Sequence, residues 1–160
     1  MSLDGRTLGV LISGRGTNLQ AILDAVSDGR LEAKVGIVIS NRPGAPGLER
    51  ARKAEVPTAV IDHKTFSTRE DFDRRILEEL QHHEVDVVCL AGFMRLLSGV
   101  LVKAFPNRIL NIHPALLPSF GGQGMWGHHV HEAVLKAGCK ISGCTVHFCT
   151  NEYDKGPIIA

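Results

Sequence analysis

Asn111 and His113 stand two residues apart in the run LNIHPALLP, after an apolar stretch and before a proline-punctuated loop. Side chains two apart on a strand project to the same face, so this pair can address one small group of atoms. An amide donor beside an imidazole at a strand's carboxyl end can polarise a carbonyl oxygen and move a proton, the two tasks that acyl-group transfer requires. The same residues also suit a strand that ends in a polar turn, and the pair alone does not separate the two readings.

A second locus lies near the start. SGRGTN joins an apolar run to a helical pattern, so the backbone amides of Gly16, Thr17 and Asn18 would point outward at a helix amino end, where an anion is favoured. The loop is no dinucleotide fingerprint, because Leu19 takes the third glycine's place and the second strand ends in Ser40 and Asn41 rather than in an acid. It also lacks the lysine of a nucleotide-binding loop. The competing reading is a glycine-rich turn in which Thr17 or Asn18 caps the helix.

These residues need a scaffold, and 160 residues at 44% hydrophobic and 22% charged content are enough for one domain with a real core. Eighteen basic and 17 acidic residues give a formal charge of +1, so no electrostatic footprint points to nucleic acid or an anionic membrane. No apolar run approaches the roughly 18 residues of a membrane span. The polar start MSLDGRT lacks the apolar core of a signal peptide, which makes the cytoplasm the expected location, and Met1 to Leu3 precede the first strand. Cys89, Cys139, Cys144 and Cys149 form no CxxC pair and are expected as reduced thiols. His128, His129 and His131 invite a metal reading, but only His128 and His131 have helical spacing and no third ligand is at hand; a polar helix start is expected, with no metal.

Periodicity places strands at 7–13, 33–40, 57–61, 85–91 and 109–113, and helices at 18–27, 47–54 and from Ser67 to His83, the last opened by a capping box of Ser67 and Glu70. Beyond a glycine-rich loop at 121–127, residues 130–137 read as a helix, 143–150 as a strand and 156–160 as the start of another. The nearly continuous apolar runs suit central parallel strands. This alternation predicts an α/β fold with a doubly wound, mostly parallel sheet, and with ligands beyond the carboxyl ends of its strands. Both loci fall at that edge.

Taken together, LISGRGTNLQAI, LAGFMRLLS, NIHPALLPSF and TVHFCTNEYDKGPII resemble the folate-dependent formyltransferase family, and within it the phosphoribosylglycinamide formyltransferases. NIHPALLPSF alone is shared in type with methionyl-tRNA formyltransferases and formyltetrahydrofolate hydrolases; SGRGTN and LAGFMRLL separate them. The resemblance implies a single Rossmann-like catalytic domain over 1–160. It implies Asn111, His113 and Asp154 as catalytic residues and Gly16, Thr17 and Asn18 as holders of the substrate phosphate. For the co-substrate 10-formyltetrahydrofolate it implies Arg69, Leu90, Met94, Arg95, Leu96, Leu97 and Asn111, with Thr150, Asn151, Glu152, Tyr153 and Asp154 as a closing loop.

The implied reaction is attack by the glycinamide amine of phosphoribosylglycinamide on the formyl carbon. Asn111 donates to the developing oxyanion, His113 moves the proton, and Asp154 raises the imidazole's pKa and holds its ring. Core packing competes for Met94, Leu96 and Leu97, a solvated charge for Arg69, a turn for Asp154, and a packed histidine is expected at His147. FGGQGMWGHHVH is longer than the loop of shorter members, and members generally continue some tens of residues past the position of Ala160, with the last strands, a terminal helix and ribose contacts. A hydrolase, with water replacing the amine, and a non-catalytic folate- or phosphate-binding module are the alternatives. The expected state is a monomer or homodimer.

Overall fold

The computed structural model describes residues 5–160, so the polar start and the reading of Met1 to Leu3 lie outside the described residues. Six strands, β1 (Arg6–Ile12), β2 (Ala33–Ser40), β3 (Thr58–Val60), β4 (Val87–Leu90), β5 (Ile109–His113) and β6 (Thr145–Phe148), form one sheet in the order β3-β2-β1-β4-β5-β6. All neighbours pair in parallel except β5 and β6, which are antiparallel. Five helices connect them: α1 (Thr17–Ser27), α2 (Gly47–Lys53), α3 (Arg69–His82), α4 (Gly99–Ala104) and α5 (His128–Lys136). No helix among the described residues is long and apolar enough to cross a membrane.

The apolar runs are explained by burial on both faces. Val10 and Ile12 of β1 pack with Leu19 and Leu23 of α1 and Leu48 of α2. Leu11, between them, points the other way, into a cluster with Ile76 and Leu80 of α3 and Leu101 of α4. A strand with helices on either side cannot alternate apolar and polar residues, because neither face meets water. The chain runs from β1 outward to β2 and β3 and then returns to place β4 on β1's other side. This reversal puts the topological switch point at the carboxyl ends of β1 and β4, where doubly wound sheets bind ligands.

Several boundaries differ from the periodicity. Residues 99–104 form a helix the pattern does not show, since six residues are too few to display a period; the Ser98 hydroxyl caps it by accepting from the Val100 N–H at 3.2 Å. Helix α5 begins at His128 and β6 spans only Thr145–Phe148. The expected strand at 156–160 is reduced to one antiparallel bridge, His147 to Ile158, flanked by backbone bonds such as Ile159 N to Val146 O at 2.8 Å. The capping box sits one residue later than expected. Thr68, not Ser67, is the N-cap of α3; its hydroxyl accepts from the Asp71 N–H at 3.1 Å and donates to Asp71 Oδ2 at 2.7 Å.

Because an N-cap hydroxyl contributes about 1 kcal/mol, Thr68→Ala should lower stability to urea by that order, while Ser67→Ala should leave it within about 0.5 kcal/mol. Equal losses at the two positions would contradict the cap.

Candidate active site

Gly16 is the N-cap of α1, with φ of 71° and no side-chain cap, so the capping reading of Thr17 and Asn18 is not realised. A Cβ at Gly16 would lie 2.8 Å from Gly47 Cα, which makes glycine obligatory there both for space and for its left-handed backbone. The loop is held from behind. Gly47 N–H donates to Gly14 O at 3.0 Å, and Arg50 Nε donates to Arg15 O at 2.8 Å. The first-turn amides of α1 thus keep their donors for an acceptor from outside, at the positive end of the helix dipole.

At the end of β5 the chain gathers four polar side chains. Antiparallel register sets Asn111 directly opposite His147, and Asn111 Nδ2 lies 3.1 Å from His147 Nε2. His113 Nδ1 lies 3.5 Å from Asp154 Oδ2, and its Nε2 lies 2.8 Å from the Phe120 carbonyl. Each ring nitrogen thus faces an oxygen, which fixes the orientation of the imidazole. The other Asp154 oxygen, Oδ1, lies 3.6 Å from His147 Nε2, and the Gly122 N–H donates to Oδ2 at 2.9 Å. Both His113 partners come from strained backbone: Phe120 and Asp154 sit at φ of 55° and 51°, in the left-handed region that costs a non-glycine residue energy.

Burial disfavours the Asp154 carboxylate, yet the close His147 imidazole, the Gly122 N–H and the nearby His113 ring outweigh it and hold its pKa below the ordinary range. The nearby Asp154 carboxylate raises the His147 pKa; burial opposes this, and the Phe148 carbonyl at 2.9 Å from Nδ1 adds to it. His147 therefore has two arrangements. The neutral ring accepts from Asn111 Nδ2 and donates from Nδ1 to Phe148 O, whereas the charged ring donates from Nε2 to Asp154. Only the first turns the Asn111 amide nitrogen toward the imidazole and leaves its second N–H for a ligand.

His147 is thus a member of the cluster as well as a packed residue, at 2% exposure. The sequence could have revealed this only through the β5–β6 register. Phe120, whose backbone carbonyl does the work, carried no side-chain signal at all. Of the residues implied for the co-substrate, Leu90 and Leu97 are buried in the core, where the packing reading applies to their side chains. Met94 and Arg95 are exposed on the loop after β4. Leu96 lines a cleft with Asn151, Glu152 and Tyr153, and with Gly122 from the glycine-rich loop. Thr150 stabilises the turn of that segment by accepting from the Glu152 N–H at 3.2 Å. Arg69, in the first turn of α3, has its ion pair with Glu70 at 3.9 Å and is not drawn into the cluster of Asn111, His113, His147 and Asp154. Among the described residues no group of three His, Cys, Asp or Glu side chains is placed to hold a metal ion.

Residues 7–160 match the family model described as formyl transferase. The chain belongs to the formyl transferase family. Phosphoribosylglycinamide formyltransferase of Escherichia coli (strain K12) is 45% identical over 150 residues, covering 94% of this chain and 68% of that protein. The human trifunctional purine biosynthetic protein adenosine-3 is 47% identical over 150 residues, again 94% of this chain, but the chain spans only 14% of that relative's length. Among solved structures, glycinamide ribonucleotide transformylase 1 from Symbiobacterium toebii matches with a TM-score of 0.92 at 51% identity, over 98% of this chain and 71% of that one. Its relatives within the family thus include phosphoribosylglycinamide formyltransferases, and the solved structure shares the fold over nearly all of this chain.

The ion pair has a definite pH window. The raised His147 pKa stabilises the fold fully below about 6.5 and ceases to as pH rises through the raised value; the lowered Asp154 pKa stabilises it above about 4 and ceases to as pH falls through the depressed value. Asp154→Asn should therefore cost most stability between about pH 4 and 6.5, and the His147 titration, followed by NMR, should move down. An unmoved His147 titration would contradict the shared carboxylate.

Proposed function

We propose that this chain transfers the formyl group of 10-formyltetrahydrofolate to the amine of 5'-phosphoribosylglycinamide, a step of purine (IMP) biosynthesis. The observation that carries the reading is the convergence of Asn111, His113 and Asp154 at the end of β5, on the same sheet edge as the uncapped amino end of α1. Gly16, Thr17 and Asn18 bind the acceptor's phosphate through their amides. The loop with Met94, Arg95 and Leu96, and the segment 150–154, receive the folate, with backbone contacts from Leu90 and Leu97 and a charge from Arg69. The acceptor nitrogen forms a bond to the formyl carbon, and the bond from that carbon to the folate nitrogen breaks. Asn111 donates to the formyl oxygen as it gains negative charge. His113 carries the proton lost by the amine to the departing folate nitrogen, and Asp154 holds the ring and balances its charge.

No step asks for a Lewis acid, since the nucleophile is an amine and His113 and Asn111 deal with proton and charge. The described residues work as one catalytic unit, in the cytoplasm, as a monomer or homodimer. The two partners are small molecules, with no nucleic acid or membrane.

Asn111→Ala should lower amine-dependent turnover by about 10²–10³-fold with little change in either KM, the mark of a contact made in the transition state. His113→Ala should abolish turnover above background while both substrates still bind. Full activity in the His113 variant would refute the assigned mechanism.

A further inference from the structure

A buried polar junction lies between the anion loop and the folate-side loop and takes no part in the chemistry above. Ser13, at 3% exposure, directly precedes Gly14. Its Oγ accepts from the Met94 N–H at 2.8 Å and donates to Asn41 Oδ1 at 2.6 Å. The direction is forced, because a backbone N–H can only donate, so the serine hydrogen must go to the Asn41 oxygen. Asn41 is 1% exposed, and its Nδ2 faces His63 Nδ1 at 3.2 Å. One hydroxyl at the topological switch point therefore joins the carboxyl ends of β1 and β2 to Met94, an exposed residue of the loop after β4. That loop's far end is pinned separately: the Ser98 N–H donates to Asp73 Oδ2 at 2.5 Å, from α3, with Asp73 1% exposed. The two pins differ in one respect. Of the two loops, Asp73 bonds to the folate-side one, whereas Ser13 bonds to that loop and also heads the loop of Gly16, Thr17 and Asn18.

We propose that Ser13 is a positioning residue that couples the two substrate sites, so that filling the phosphate loop raises the affinity of the folate loop, and the reverse. The inference rests on the function proposed above. A change in the backbone at Gly14 on anion binding moves the Ser13 hydroxyl, which sets the Met94 amide and with it the start of the folate-side loop. Linkage makes the effect reciprocal.

The test uses tetrahydrofolate, the deformylated product, because with phosphoribosylglycinamide it forms a complex that cannot react. In the parent chain, phosphoribosylglycinamide should tighten tetrahydrofolate binding by about fivefold or more. In Ser13→Ala that ratio should fall toward one, and both KM values should rise by a larger factor than kcat falls; Ser13→Thr, which keeps the hydroxyl, should restore the ratio. Asp73→Ala should weaken tetrahydrofolate but keep the ratio. Amide hydrogen exchange without ligands gives an independent reading: Ser13→Ala should speed exchange both at Met94 and at residues 14–17, and Asp73→Ala only in the loop after β4. A ratio unchanged by Ser13→Ala, or exchange unchanged at 14–17, overturns the coupling. A parent that binds neither compound yet shows the expected exchange pattern overturns the proposed function and leaves the junction standing.

Discussion

A carboxylate withdrawn from water must be compensated by donors, and Asp154 draws them from three separate stretches of chain. His113 comes from the end of β5, His147 from β6, and the Gly122 N–H from the glycine-rich loop. Gly122 stands 32 residues before Asp154 and His113 further still, so folding alone brings these two to the carboxylate. Removing the side chain would leave two imidazoles and an amide without this acceptor, while the strained backbone at Phe120 and Asp154 would lose part of what holds it. The long loop therefore shapes the cluster through its backbone: Phe120 O and Gly122 N fix the two sides of the His113–Asp154 pair. Its extra length leaves that pair intact.

The other half of the site depends on close backbone approach. Gly16 and Gly47 meet where no side chain fits, and this contact puts α2 directly behind the anion loop, so that Gly47 N–H and Arg50 can hold its carbonyls from the rear. With the carbonyls engaged, the amides are left facing outward. Sheet topology then sets this loop beside the one that follows β4, and Ser13 closes the gap between them with a single hydroxyl. The function proposed for the chain thus draws its anion site, its apolar wall and its acid–base groups from the ends of β1, β4 and β5.

What could be read in the residues follows from how local each signal is. Parallel strands buried on both faces announce themselves as apolar runs, and the alternation of strand and helix identified the doubly wound sheet. Asn111 and His113 were legible because their spacing is a property of a single strand. His147 was not, since its role exists only through antiparallel register with Asn111, and register is settled by pairing across the chain. Phe120 and Gly122 act through backbone atoms that every residue type carries. Helix α4 was too short to show a period, and the cap of α3 shifted from Ser67 to Thr68 because adjacent hydroxyl residues offer two registers that differ only in geometry. Asp73 carries no signal in the sequence pattern either: it is buried, burial raises its pKa, and it accepts from the Ser98 N–H.

The most direct test of the central claim follows the one-carbon group itself. The chain is mixed with donor carrying a ¹³C-labelled formyl group and with phosphoribosylglycinamide, and the label is traced by NMR. The label should appear as a formamide on the glycinamide nitrogen, at a rate that depends on acceptor concentration. Label released only as formate, at a rate indifferent to the acceptor, would contradict transfer and assign the site to hydrolysis; label that stays on the folate while both ligands bind would reduce the chain to a binding module.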